Sequence, residues 1–196
     1  MHRRGDHVDF AYFPETGMIS VVVDLEDGST IEVGTIGNEG VAPSILVLGS
    51  EVTRNEAMVQ IEGSALRMSA DTLRHCLGEH EPLRRHFARY AEIFHQQVAQ
   101  TAACNAAHSI EQRCARWLLL ARDRIGSDEV PLTQEFLSMM LAVRRAGVTM
   151  AARSLQQVGL IKYRHGHITI LDPEGLEEVS CECSRLIRDQ ESELLR

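Results

Sequence analysis

The chain has 196 residues, 44% of them hydrophobic and 24% charged, with a formal net charge of −8. That is the composition of a globular protein with mass enough for one large or two small domains. No apolar run approaches the ~20 residues of a membrane-spanning helix, the opening MHRRGDHVDF lacks the apolar core of a signal peptide, and the cytoplasm is the expected compartment.

From residue 10 to residue 34 the pattern is β. Residues 18–25 are rich in β-branched side chains, Asp27-Gly28 is a strong hairpin turn, and residues 30–33 continue the alternation. Gly34, Gly37 and Gly40 punctuate the turns that follow. Residues 57–61 and 65–68 read as a second hairpin around Glu62-Gly63-Ser64, and Ser69 as the cap of a short helix to residue 77. Glu81-Pro82 opens a long helix, residues 83–108. On it Phe87, Ala91, Phe94, Val98, Thr101, Ala102 and Asn105 recur at three- and four-residue steps. Such a stripe suits a partner helix, with Asn105 fixing the register; the competing reading is a helix packed on its own β-domain. Ser109 caps a further helix, residues 110–125, with Trp117 in its core and Gly126 at its end.

Residues 132–171 hold five basic residues (Arg144, Arg145, Arg153, Lys162, Arg164) against one acid, Glu135, inside an acidic chain. A positive island on such a body points to a polyanion met through one face. Thr133 caps a first helix whose apolar face is Phe136, Leu137, Met140 and Leu141, with Ser138 and Ala142 small at a helix crossing. After a tight connection at Val143-Arg144 a second helix spans residues 145–158. Val148, Ala151, Ala152 and Leu155 form its inward stripe, and Arg145, Thr149 and Arg153 stand at i, i+4, i+8 opposite. Gly159 ends it, and two short β runs, 160–164 and 167–171, flank a hairpin at His165-Gly166. Helix, turn, helix, hairpin is the order of a winged helix-turn-helix, in which the braced second helix enters a major groove and the hairpin touches flanking phosphates. An ordinary helical pair with a solvated basic face is the alternative.

Asp172-Pro173-Glu174 starts a final helix with Leu176, Val179, Cys183, Leu186 or Ile187, and Leu194 on its apolar side; its glutamates make it a poor surface for DNA. The five cysteines (Cys76, Cys104, Cys114, Cys181, Cys183) argue against a disulfide framework in a chain without a secretion signal. Cys181-Glu-Cys183 offers two thiolates, but no second closely spaced ligand pair stands out. Reduced structural thiols are therefore expected, with no metal and no cofactor. The His-x-His at His165 and His167 lies in the hairpin, not among carboxylates on neighbouring strands, so a metal-dependent enzyme is not expected.

The stretch LTQEFLSMMLAVRRAGVTMAARSLQQVGLI resembles the DNA-binding domain of the Crp/Fnr family of bacterial transcription regulators. YFPETGMISVVV and DGSTIEVGTIGNEG resemble part of that family's β-roll sensor domain. The resemblance runs from about Asp9 to Leu171. It implies an α+β chain: a partial β-roll of the cyclic-nucleotide-binding jelly-roll type at residues 1–81, a long dimerisation helix at 82–108, and a winged helix-turn-helix with a C-terminal helix at 109–196. It implies a homodimeric, sequence-specific regulator and no enzyme, with duplex DNA, a second copy and RNA polymerase as partners. Arg145 is the leading base contact, Arg144, Thr149 and Arg153 follow, and Thr133, Lys162 and Arg164 fall to phosphates. Phe87, Ala91, Phe94, Val98, Thr101 and Asn105 fall to the dimer.

The sequence departs from the family's pattern in four ways. The usual Arg-Glu-x-x-x-Arg of the recognition helix is here Arg145, Ala146 and Met150, so base preference does not carry over, and an interaction module that has lost DNA binding is the alternative function. Gly147 in that helix costs about 1 kcal/mol relative to alanine and is expected to admit the DNA backbone. Only eleven residues precede Tyr12, where the family's roll has a helix and several strands. A fragment, a start assigned too far downstream or an abbreviated roll would each explain this, and exposed strand edges are expected. No cysteine precedes Cys76, against the N-terminal cluster of the iron–sulfur members. For a cyclic nucleotide, GNEGVAPS at residues 37–44 and Arg54 are the available matches, and Glu56 would repel a phosphate. Another small molecule, or none, is the expected effector.

Overall fold

The structure is a computed structural model and describes residues 1–194; the side chain of Leu194, expected on the apolar side of the last helix, lies outside the described residues. The N-terminal half carries β1 (Phe10–Pro14), β2 (Met18–Asp24), β3 (Thr30–Ile36), β4 (Glu56–Ile61) and β5 (Ala65–Ser69). β2 is the centre of an antiparallel sheet ordered β3-β2-β4, and β1 pairs with β5 in a second sheet. Neither sheet closes on itself, which leaves the open edges expected from the sequence. The β2–β3 turn forms as read: Gly28 has φ 82°, and Asp27 Oδ1 accepts from the Ser29 amide and hydroxyl at 2.9 and 2.6 Å.

The second expected hairpin does not form. β4 pairs with β2, Ala57 opposite Val21, while β5 pairs with β1, Leu66 opposite Phe13. Residues 62–64 instead cross between the sheets, so close to the Thr16 turn that a Cβ on Gly63 would lie 2.1 Å from the Thr16 carbonyl oxygen. Alternation identifies strands, and a glycine between two of them marks a close approach as readily as a hairpin.

β2 is covered on both faces, and this sets how the halves join. Ile19 and Val21 enter an apolar cluster with Ile36, Ala42 and Ala57. On the other face Met18 belongs to the core of the C-terminal half, and the Ser20 hydroxyl lies 3.7 Å from Met140 Sδ. α1 (Ala70–Glu79) begins at Ser69, whose hydroxyl accepts from the Thr72 amide at 3.1 Å. α2 (Glu81–Ala107) spans 27 residues and buries Tyr90, Ile93, Gln97, Thr101 and Cys104. Tyr90 packs on Gly40, where a Cβ would meet its ring at 2.3 Å, and its hydroxyl donates to the Val41 carbonyl at 3.0 Å.

α3 (Ile110–Ile125) starts with a reciprocal Ser109–Gln112 capping box and runs through the centre of the C-terminal core. Trp117 is 1% exposed, and its indole N–H donates to Glu32 Oε1 at 2.8 Å. β6 (Glu129–Pro131), α4 (Gln134–Met140), α5 (Arg145–Gln157), β7 (Ile161–Arg164) and β8 (His167–Ile170) follow, with the strands ordered β6-β8-β7. The single final helix read from the sequence is two helices, α6 (Pro173–Val179) and α7 (Cys183–Leu194). Ser180 is extended, and the break sets Cys181 and the first residue of α7, Cys183, against Cys104 of α2.

Candidate nucleic-acid interface

Local chemistry builds the α4–α5 pair. The Thr133 hydroxyl accepts from the Phe136 amide at 3.3 Å, stopping the chain from fraying at α4. α4 ends at Leu141, whose carbonyl accepts from the buried Arg113 guanidinium of α3. Ala142 then has φ 50°, the left-handed geometry that turns the chain by one residue. The expectation that Ala142 eases a helix crossing is therefore corrected: its role is the turn, and its small side chain limits the strain. Ser138 is half-buried and bonds the Glu135 carbonyl of its own helix.

α5 buries the stripe read from the sequence: Val148, Ala151, Ala152 and Leu155. Gly147 faces inward as well. A Cβ there would meet Ile110 Cδ1 at 3.2 Å and Val143 at 3.6 Å. This corrects its expected role: the glycine admits α3 and the turn, not a DNA backbone.

The five basic side chains are all exposed. Arg145 makes an ion pair with Glu135 at 3.0 Å in which both side chains are about two-thirds exposed, 66% and 67%. Such a pair contributes roughly 0–1 kcal/mol and yields readily to a stronger anion. Thr149 is half-buried, and its hydroxyl donates to the Arg145 carbonyl at 3.0 Å. The outward face thus centres on Ala146, Met150, Arg153 and Gln157, with Arg145 and Thr149 at its margin. Met150, 63% exposed, is an apolar feature of that face that charge patterning does not single out. Its i+4 spacing from Ala146 was the available signal.

Beyond Gly159, at φ 79°, the wing turns through His165 and Gly166 with φ 49° and 80°, two consecutive left-handed residues that match the twist of the flanking strands. Lys162 and Arg164 are exposed on β7, and the exposed Thr133 lies beside the wing turn, its methyl 3.7 Å from a Cβ built on Gly166.

A cleft of about 720 Å³ separates the β2–β3 turn from this unit. Asp27 to Ile31 line one wall, and Glu135, Ser138, Arg144 and Arg145 the other. Arg54, the effector candidate, is exposed and borders a cavity of about 20 Å³, room for about one water. Of the stripe assigned to a partner helix, Phe87 and Phe94 pack against the roll's apolar clusters and Thr101 is buried within the protomer. Ala91, Val98 and Asn105 are half-buried and Ala102 is exposed. The Asn105 side-chain oxygen is buried without a hydrogen-bond partner. Cys181 and Cys183 do have a second ligand pair beside them, Cys104 and His108.

Residues 112–179 match the family model of the Crp-like helix-turn-helix domain. Among curated protein sequences none is significantly similar to this chain. Solved structures with the same fold include a CRP-family transcriptional regulator from Thermus thermophilus, at TM-score 0.77 and 22% identity, covering 92% of each chain. FixK2 from Bradyrhizobium japonicum gives TM-score 0.77 at 15% identity, again over 92% of each chain. The c-di-GMP-responsive regulator CLP of Xanthomonas campestris gives 0.69 at 15% identity, over 87% of this chain and 88% of that one. The chain carries a Crp-like helix-turn-helix domain on a body with the fold of the Crp/Fnr transcription regulators.

Proposed function

We propose that the protein is a homodimeric, sequence-specific DNA-binding transcription regulator that places two copies of α5 in successive major grooves. The observation that carries this reading is the exposed cationic surface of α5 and the wing on a body of formal charge −8. Arg145, at the start of α5, reads a base edge, for which its planar fork is suited. Arg144, Thr149 and Arg153 contact bases or phosphates, and Thr133, Lys162 and Arg164 hold phosphates. Ala146 and Met150 add an apolar surface of the kind that meets a thymine methyl group.

Two-fold operators need two recognition helices about one DNA turn apart, ~34 Å. Ala91, Val98, Ala102 and Asn105 of α2 supply the contact between copies. A signal at the roll reaches DNA through the cleft, where the β2–β3 turn faces Arg144 and Arg145; the signal shifts the population between two arrangements of the DNA-binding half.

Selection of bound sequences from a random duplex library, followed by a salt titration, tests the reading. A two-fold symmetric consensus and a steep fall of affinity with salt are expected. Failure to enrich any sequence, with affinity indifferent to salt, would leave a protein-interaction module as the function.

A further inference from the structure

Four side chains that DNA binding does not use converge at the C-terminal end of α2. Cys104 and His108 stand one helical turn apart there, Cys181 comes from the break between α6 and α7, and Cys183 is the first residue of α7. Their donor atoms all lie within 4.8 Å of one another. Cys104 and Cys181 sulfurs are 3.5 Å apart, and Cys183 Sγ is 3.6 Å from His108 Nδ1. All three cysteines are buried. A disulfide would bring two sulfurs to about 2 Å, and thiols that merely pack have no use for an imidazole. Donors around one tetrahedral ion, with metal–sulfur bonds of ~2.3 Å and metal–nitrogen bonds of ~2.0 Å, stand about 3.5–3.8 Å apart. The Cys104–Cys181 and Cys183–His108 contacts agree with that spacing. An iron–sulfur cluster of several irons holds its ligands farther apart.

The surroundings fit an ion as well. His108 Nε2 lies 3.2 Å from Glu182 Oε2. A proton on Nε2 shared with Glu182 would leave Nδ1, which faces Cys183 Sγ, free to bind, the carboxylate–histidine arrangement found around bound metals. Gln100 Nε2 donates to Cys183 Sγ at 3.0 Å. Three thiolates on a divalent cation carry a net charge of −1. Arg113 and Arg116 of α3, both buried, make no ion pair with a carboxylate among the described residues. They supply the countercharge.

We propose that Cys104, His108, Cys181 and Cys183 bind one zinc ion in a closed tetrahedral site that fixes the joint between α2 and the DNA-binding half. With all four positions held by protein the ion is structural rather than catalytic. His108 immediately precedes the Ser109 cap of α3 and Cys104 lies one turn before it, so the ion clamps the start of α7 to the point where the chain leaves α2.

Metal content of the full chain tests this independently of DNA. The purified protein is expected to retain one zinc per chain after dialysis. With Co²⁺ in place of zinc it should show visible bands of a tetrahedral ion and a near-ultraviolet thiolate-to-cobalt charge-transfer band. C183S should weaken and shift these bands, and E182Q should lower Co²⁺ affinity about 10–100-fold. H108C, which keeps four donors, should still bind equimolar Co²⁺ with stronger charge transfer, and C76S, outside the cluster, should match the wild type. If C183S does not fold, the wild-type spectrum and H108C decide. Folded wild type that retains no zinc and gives no tetrahedral cobalt spectrum overturns the proposal, as does a Cys104–Cys181 disulfide in protein purified under reducing conditions.

Discussion

Arg145 and Glu32 show how burial decides what one side chain can do. Arg145 is exposed and loosely held by Glu135, so it is free to meet a base. R145A is expected to cost about 1–3 kcal/mol at one base position and to relax specificity there. Equal losses on every sequence in a competition assay would make it a phosphate contact instead. Glu32 is the opposite case: buried, bonded by Ser20 and Trp117, and raised by desolvation from 4.5 to about 7. A carboxyl that holds its proton more tightly folded than unfolded stabilises the fold in acid, and that contribution is lost as pH rises from about 4.5 to about 7. E32Q keeps a neutral partner for both hydrogen bonds. The Tm difference between E32Q and wild type should therefore change through that window and level off above it. A difference independent of pH would mean that Glu32 does not titrate there. Exposed arginines were readable from charge pattern alone. Glu32 was not, because nothing around Thr30–Ile36 shows that Trp117, 85 residues away, will bury it.

Among the elements, those with a chemical marker at each end were legible. Thr133, Gly159, His165-Gly166 and Asp172-Pro173 each satisfy a backbone need within four residues of themselves, and the helix-turn-helix and wing follow almost to the residue. Strand pairing is not local, which is why β4 and β5 were matched to each other and not to β2 and β1. The ligand set at the end of α2 escaped for the same reason, since Cys104 and Cys181 are 77 residues apart; the Cys-x-x-x-His spacing on a predicted helix was the clue. Two predictions belong to elements. V98E places a charge in the α2 stripe without entering the protomer core, so sedimentation should show monomers that keep wild-type helicity. D27N removes an acid from the β2–β3 turn facing Arg144 and Arg145, and nonspecific duplex affinity at low salt should rise a few-fold. Unchanged affinity would mean that the turn does not oppose DNA.

Across the whole molecule, a buried charge cluster ties the parts together. Arg124 of α3, 3% exposed, lies between Glu39 of the roll at 3.1 Å and Glu191 of α7 at 2.5 Å. Gln97 of α2 donates to the same Glu191 at 3.2 Å. R124A would leave two carboxylates buried without their cation, a loss of about 3–5 kcal/mol that urea unfolding should register. With three helices and a loop of the roll sharing one network and Met18 and Ile61 of the sheet set in the C-terminal core, the halves should unfold in one transition. Trp117 makes that directly observable. It is the sole tryptophan, sealed at the joint with its indole N–H on a carboxylate from the sheet, so its fluorescence acts as an intrinsic gauge of docking. A red shift of its emission while far-ultraviolet circular dichroism holds steady would report the two halves parting before either melts.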